Sequence, residues 1–401
     1  MMKAIVLSLS QKDKVREVIV SILGLSFKFF SLFFKVEKGM FFFESFDGRA
    51  ISDSPYELYK QLSKRVDAKF VWSSQAKSKQ ANIIIEEGVF FVKPNSLKYF
   101  YYLAKSEYII SNSRMSYFFS KKSDQYYIQC WHGTPLKKIG CDIKKATNSL
   151  VSHNAIDLAY ITEGKIIDVF ISPSSYATSC FISSFALKKE KILELGYPRN
   201  DVLVNNSKDS SFIHTIKSRL GIPLSNRVIL YAPTYRDYDV DSHGKYNFNN
   251  FLCSDDFCSS FSENVTLLIR GHYFTETISN HRKFIDVSQY NNIADLYLIS
   301  DVLITDYSSV FFDFAILNRP IYFYLPDLEQ YEVNTRGFYI KVPDDLPGFS
   351  TSNPLELAKK ILSDNFETVD HSCFNNTYNP YEDGQSTKRC CDYLLTLGKE
   401  D

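Results

Sequence analysis

Short apolar runs that stop abruptly in small, polar or charged residues recur along this chain, and they narrow the folds open to it. Residues 126–130 lead straight into Trp131, His132, Gly133, Thr134 and Pro135. Residues 227–232 stop at Pro233 and Thr234, residues 265–269 at Arg270, Gly271 and His272, and residues 301–305 at Asp306, Tyr307, Ser308 and Ser309. Further runs at 39–43, 69–72, 83–85, 89–92, 108–111, 169–172 and 320–324 alternate with helix-length segments, such as 56–64 opened by Ser54 and Pro55. Alternation of this kind predicts an α/β fold with parallel sheets and helices on both faces. Ligands of open parallel sheets bind outside the carboxyl ends of the strands, so chemistry is expected at the polar clusters.

A chain of 401 residues is too long for one ordinary core, and two domains are expected. The boundary is expected between Gly196 and Gly221, where the turn-rich segment Gly196 to Asp201 is followed by a polar helical stretch and by Gly221 to Pro223. The division read is 1–38 as a basic, aromatic-rich helix, 39–205 as a first Rossmann-like domain, and 206–401 as a second that ends in helices. An internal echo supports two similar halves: residues 106–112 (Ser, Glu, Tyr, Ile, Ile, Ser, Asn) resemble residues 300–306 (Ser, Asp, Val, Leu, Ile, Thr, Asp). The segment from Pro354 reads as two helices around a loop at 375–386.

Composition excludes several classes. The 46 Lys+Arg and 46 Asp+Glu cancel, so bulk charge does not suggest a nucleic-acid partner. Eight Cys show no Cys-x-x-Cys pair and no His/Cys cluster of zinc type, and read as free cytosolic thiols. Asp237 to Asp241 resembles the start of a calcium loop, but the glycine comes late and the closing Glu is missing. Neither dinucleotide nor P-loop fingerprints follow a strand, and no nucleophile elbow is present. No metal and no cofactor are expected. Residues 15–36 are strongly apolar, are interrupted by Lys28 and are flanked by Lys12, Lys14, Arg16, Lys35 and Lys38. They lack a signal-peptide layout and only approach the ~20 apolar residues of a spanning helix. A helix lying in a membrane interface is the preferred reading, with a buried helix and a true span as alternatives.

At the strand ends, Arg offers a fork matched to phosphate. Ser308 and Ser309 open a segment read as a helix (310–317) and offer hydroxyls and N–H groups to an anion. Together the clusters look like a diphosphate site. Each has a plainer reading: a structural His132, a surface ion pair at Arg270, or a simple helix cap at Ser308 and Ser309.

These residues carry a resemblance. Phe43 to Arg49 with Asp53 to Pro55, residues 131–137, Gly196 to Asp201, Tyr231 to Arg236, Arg270 to His272, Asp301 to Asp313 and Arg336 to Phe338 stand in the order found in the CDP-glycerol glycerophosphotransferases, the teichoic acid primases and polymerases. The resemblance implies a GT-B-like pair of Rossmann-type domains facing a cleft. It implies transfer of glycerol phosphate or a related polyol phosphate from a CDP-activated donor to a hydroxyl of a lipid-linked acceptor, with CMP leaving. Such enzymes build teichoic acid or capsular polymer and work as peripheral proteins on the cytoplasmic face of the cell membrane.

By that resemblance His132, Gly133, Thr134, Pro135, Leu136, Arg199, Pro233, Thr234, Arg236, Arg270, Gly271, His272, Asp306, Ser308, Ser309 and Asp313 surround the donor. His132 is the first choice for general base, since imidazole titrates near working pH. His272 supplies charge or a hydrogen bond. In a rival assignment His132 is a phosphate ligand and Asp47 or Asp53 is the base. A GT-B sugar transferase with a nucleotide-sugar donor is the alternative enzyme class, and a non-catalytic membrane scaffold is a third.

Overall fold

The computed structural model describes residues 13–75, 85–116, 118–144, 152–234, 236, 252, 255–271 and 284–398. The expected strand at 83–85 falls largely outside them, and the calcium-like stretch at 237–241 and His272 fall wholly outside. The chain divides into two compact units. Unit 1 comprises Met1–His132, Ile139–Asp201 and Tyr381–Asp401, and unit 2 comprises Gly133–Lys138 and Val202–Pro380.

Unit 1 is built on strands β1 (Glu37–Glu44), β2 (Lys69–Ser73), β3 (Phe90–Val92), β4 (Ser106–Ser111), β5 (Tyr126–Gln129), β6 (Val169–Ser172) and β7 (Ile192–Glu194). They pair in parallel in the order β3-β2-β1-β4-β5-β6-β7. The central strands are apolar on both faces because helices cover both. Phe41, Phe43, Trp72, Ile110, Ile128 and Ile171 line one face and pack with Leu58, Tyr59 and Leu62 of the helix Asp53–Leu62. That helix starts earlier than expected, with Ser52 as its N-cap, so Pro55 falls within its first turn.

The same layer takes in the chain's last helix, Ser386–Leu394, through Cys390, Cys391 and Leu394. Asp201 holds the start of that helix by accepting the N–H groups of Ser386 (2.9 Å) and Thr387 (2.7 Å). The carboxyl-terminal segment forms three helices (Pro354–Ser363, Ser372–Tyr378 and Ser386–Leu394), one more than expected.

Unit 2 repeats the plan with β8 (Arg227–Ala232), β9 (Val265–Ile269), β10 (Phe284–Asp286), β11 (Val302–Thr305), β12 (Ile321–Tyr324) and β13 (Phe349–Thr351). Their order, β10-β9-β8-β11-β12-β13, is again all parallel. Both sheets therefore reverse direction at one point, between β1 and β4 and between β8 and β11. That reversal opens the crevice where doubly wound sheets take ligands. The echoed sequences at 106–112 and 300–306 contain the two strands at these reversal points, β4 and β11, each with the residue after it, and the second copy begins two residues before its strand.

The N-terminal helix Asp13–Ser31 docks on unit 1 by one stripe. Phe27 is buried among Phe100, Phe118 and Phe119. Lys122 Nζ donates to the carbonyl of Phe34 (2.5 Å), just past the helix end, and to that of Ala104 (2.8 Å). Val18, Ile22, Leu25 and Phe29 remain exposed at helical spacing, followed by exposed Leu32 and Phe33. Among the described residues no helix is long and apolar enough to cross a membrane.

Candidate active site

In unit 1 two strand ends and one helix start near the reversal point are held in strained conformations. After β1 the chain turns through Phe46 (φ 51°), Asp47 (φ 56°) and Gly48 (φ 74°). A side chain at position 48 would collide with Pro94 Cγ at 2.3 Å, so only glycine fits there. After β5, Trp131 takes φ 50°, which costs a bulky residue about 1–2 kcal/mol. Asp53 opens its helix at φ 66°. Backbone outliers gathered at one sheet edge make this a candidate functional site.

The strain is held by specific bonds. Asn112, one residue beyond β4, accepts the Phe46 N–H on Oδ1 at 2.8 Å. Its carbonyl lies 2.7 Å from His132 Nδ1. A carbonyl only accepts, so Nδ1 carries the proton and the neutral ring keeps its lone pair on Nε2. Ser113 Oγ accepts the Asp47 N–H (3.1 Å) and donates to Asp47 Oδ1 (3.2 Å). The imidazole of His132 stacks on the Trp131 ring with centroids 4.3 Å apart, and Trp131 is itself wedged against Phe181 and Phe185. His132 is exposed, yet the protein around it desolvates its charged form and lowers its pKa. The Asn112 carbonyl and Asp53 push it back up, and Arg199 lowers it again.

Arg199 stands in the turn Pro198–Asn200. One guanidinium nitrogen donates to Asp53 Oδ2 (3.2 Å) and to the His132 carbonyl (2.9 Å), so Arg199, Asp53 and His132 form one cluster. Glu44, which ends β1, is also buried, and desolvation raises its pKa to about 7 against a 2.6 Å bond from Ser73 Oγ. The structure thus brings together His132, Asp47, Asp53 and Arg199. It adds Asn112 and Ser113, which sequence reading left out, although Asn112 closes the first copy of the internal echo.

Gly133, Thr134, Pro135 and Leu136 belong by their contacts to unit 2. There the Leu136 carbonyl accepts the Tyr339 N–H (2.9 Å), Lys138 N–H donates to Gly337 O (3.0 Å), and Lys137 Nζ donates to Tyr331 Oη (3.0 Å). At the reversal point of unit 2, Asp306 takes the place that Asn112 has in unit 1. It accepts the Thr234 N–H (2.8 Å) and hydroxyl (2.7 Å) on Oδ1, and Arg236 (2.8 Å) on Oδ2. Arg236 is also held by both oxygens of Asp327 (2.7 and 2.9 Å) and lies over Tyr307 and Tyr331. Burial works to lower its pKa, and Asp306 and Asp327 outweigh that, keeping it charged.

Arg270 points into its own unit, donating to the carbonyls of Val287 (3.3 Å) and Tyr290 (2.6 Å), and Gly271 N–H donates to Ser288 Oγ (2.8 Å). Ser308 and Ser309 are half-buried just before the short helix Val310–Phe314, in which Asp313 is buried. Pro233 follows β8 directly. Among the described residues no group of three or more His, Cys, Asp or Glu is placed to hold a metal ion.

Two parallel sheets of the same strand order, each with its strained or hydrogen-bonded polar residues at the reversal point, define a GT-B-like two-unit α/β transferase. The chain belongs to the family described as CDP-glycerol:poly(glycerophosphate) glycerophosphotransferase, whose pattern matches residues 26–396. It is 36% identical over 390 residues to a teichoic acid glycerol-phosphate transferase of Staphylococcus aureus (strain NCTC 8325 / PS 47), covering 96% of this chain and 99% of that one. It is 35% identical over 395 residues to a teichoic acid poly(glycerol phosphate) polymerase of Bacillus spizizenii, covering 95% and 98%. The solved structure of the wall teichoic acid polymerase TagF matches all of this chain and 96% of its own, with TM-score 0.83 and 33% identity.

Proposed function

We propose that this protein transfers glycerol phosphate from CDP-glycerol to a hydroxyl of a lipid-linked teichoic acid acceptor, with CMP as leaving group. The acceptor oxygen attacks the phosphorus of the glycerol phosphate half. A new P–O bond forms, the P–O bond to CMP breaks, and its electron pair leaves on the CMP phosphate. His132 Nε2 takes the hydroxyl proton as the bond forms. The observation that carries this role is the Nδ1 contact with the Asn112 carbonyl, which leaves Nε2 as the lone-pair nitrogen on an exposed, neutral ring.

Asp53 and Arg199 orient the His132 turn and balance its charge. Phosphoryl transfer asks chiefly for positioning and electrostatic stabilisation, and the strand-end groups suit that demand. Gly133, Thr134, Pro135, Leu136, Pro233, Thr234, Gly271, His272, Ser308, Ser309 and Asp313 form the assigned donor set. Asp306 and Arg236, bonded to Thr234 and to each other, serve that set by holding it in shape. The exposed apolar stripe of the N-terminal helix, with Lys28 and Lys35 beside it, supports attachment to an anionic membrane surface.

Purified protein with a lipid-linked acceptor and CDP-glycerol, CDP-ribitol or a UDP-sugar in separate reactions tests the reading. CMP release with glycerol phosphate added to the acceptor, found by mass spectrometry, is expected from CDP-glycerol. UDP release with sugar transfer would overturn it in favour of a nucleotide-sugar transferase.

A further inference from the structure

We propose that Gln129, Tyr127 and Glu163 form a buried positioning chain that holds the turn at Trp131 and His132 in its working geometry. They act on transfer through His132 and touch no substrate. The inference rests on the reading of His132 as the proton acceptor.

Gln129 and Tyr127 alternate along β5 and so share one face of the sheet. Both are fully buried, and Glu163, on the helix His153–Ile166, is 6% exposed. The donors run in one direction. Trp131 N–H donates to Gln129 Oε1 (2.9 Å), Gln129 Nε2 donates to Tyr127 Oη (2.9 Å), and Tyr127 Oη donates to Glu163 Oε1 (2.7 Å). The Met115 N–H donates to the same carboxylate oxygen (2.9 Å), which ties the chain to the loop after β4.

Three polar side chains in the middle of a sheet core are costly unless satisfied, and when satisfied they specify one arrangement. What this chain specifies is visible at both of its branches. At one end it caps the N–H of Trp131, the residue forced to φ 50°. At the other, the second Gln129 Nε2 proton goes to the carbonyl of Ser113 (3.0 Å). Ser113 in turn holds Asp47, and its neighbour Asn112 holds His132 Nδ1. One side chain therefore bonds to both segments that fix the imidazole. Releasing the Trp131 N–H would let that residue relax out of its left-handed conformation and swing His132 off the Asn112 carbonyl.

The test is a double-mutant cycle in the full chain, reading kcat, KM for CDP-glycerol and thermal unfolding. Gln129→Met keeps the volume and removes all three Gln129 side-chain bonds, to the Trp131 N–H, Tyr127 Oη and the Ser113 carbonyl. It is expected to lower kcat about 10–100-fold, with KM changed less than about twofold, because misplacement by about an ångström costs that much in rate. In a His132→Asn background the same change should add almost nothing, as expected for residues acting as one unit. Tyr127→Phe, which deletes a single hydroxyl, should show the same pattern at about 3–10-fold and decides the matter if Gln129→Met does not fold. A kcat near wild type in both variants overturns the positioning chain, as does a loss that adds in full to that of His132→Asn, which a merely structural role would produce. Near-normal turnover of His132→Asn alone is a different failure: it removes the base role itself.

Discussion

His132 is one strained residue away from the core, and most of what it can do follows from its two nitrogens. With Nδ1 committed to Asn112, Nε2 keeps the lone pair that the proposed function gives to the acceptor hydroxyl. Removing the ring in His132→Ala is expected to cut turnover by about 10²–10⁴-fold without loss of folding. A CMP-release assay beside a thermal melt checks it. The pH profile separates the two assignments of the base. Desolvation first, and Arg199 after it, hold the His132 pKa below the ordinary imidazole value of about 6.5, against the Asn112 carbonyl and Asp53. The ring is then neutral at pH 7, and kcat/KM should fall only as the pH drops below that ordinary value. Asp53→Asn removes an influence that raises the pKa, so its acid limb should move to lower pH, whatever the height of the plateau. A limb in the carboxylate range that His132→Asn leaves in place would give the base role to Asp47 or Asp53. Much of this cluster is legible in the sequence: His132 stands where an apolar run breaks, and Asp53 and Arg199 lie in the segments that carry the family resemblance. Gln129, Tyr127 and Glu163 are not legible: inside a strand or helix a buried polar residue looks like any other until its partner is known.

At the scale of elements, the central strands were readable because their apolar runs are continuous, and residues 227–232 and 265–269 match β8 and β9 end for end. β7, β10 and β13 are three-residue edge strands that the sequence does not announce. Three residues show no periodicity, and pairing with a neighbour, not local composition, makes them strands. The helix His153–Ile166 carries a measurable cost. Burial raises Glu163 to about 7, above its unfolded value near 4.5. Between those values the folded state binds more protons than the unfolded one, so this group's contribution to stability falls as pH rises from about 4.5 to 7 and is level above. At 1.36 kcal/mol per unit the fall is about 3 kcal/mol at most. Glu163→Gln should show a shallower slope than the wild type when urea unfolding of the full chain is followed from pH 5 to pH 8, the rest of the slope coming from groups such as Glu44; parallel slopes in the two proteins would refute the assignment. For the N-terminal helix, Leu25→Glu with Phe29→Glu charges its exposed stripe. Burying each of those side chains would contribute about 1.5–3 kcal/mol, so binding to anionic vesicles should weaken at least about tenfold in sedimentation. Unchanged binding would place the membrane contact elsewhere.

The whole molecule applies one device twice. In each unit the residue two places beyond the first strand of its sheet donates its N–H, over 2.8 Å, to an Asn or Asp one place beyond the strand beside it: Phe46 to Asn112, and Thr234 to Asp306. The faint echo between residues 106–112 and 300–306 is the sequence trace of this repeated bracket. The two copies have diverged in charge. Asn112 is neutral and leaves its carbonyl to a histidine, whereas Asp306 gathers Arg236 and a threonine hydroxyl. On the proposed reading, that divergence gives proton transfer to unit 1 and leaves unit 2 the more heavily charged framework. The most direct test of the account follows both products of one reaction, CMP in solution and glycerol phosphate on the lipid-linked acceptor, for the wild type and His132→Ala. The two should appear in equal amounts, CMP release should depend on the acceptor, and both should collapse together in the variant. Release of CMP that neither needs the acceptor nor responds to His132→Ala would contradict it.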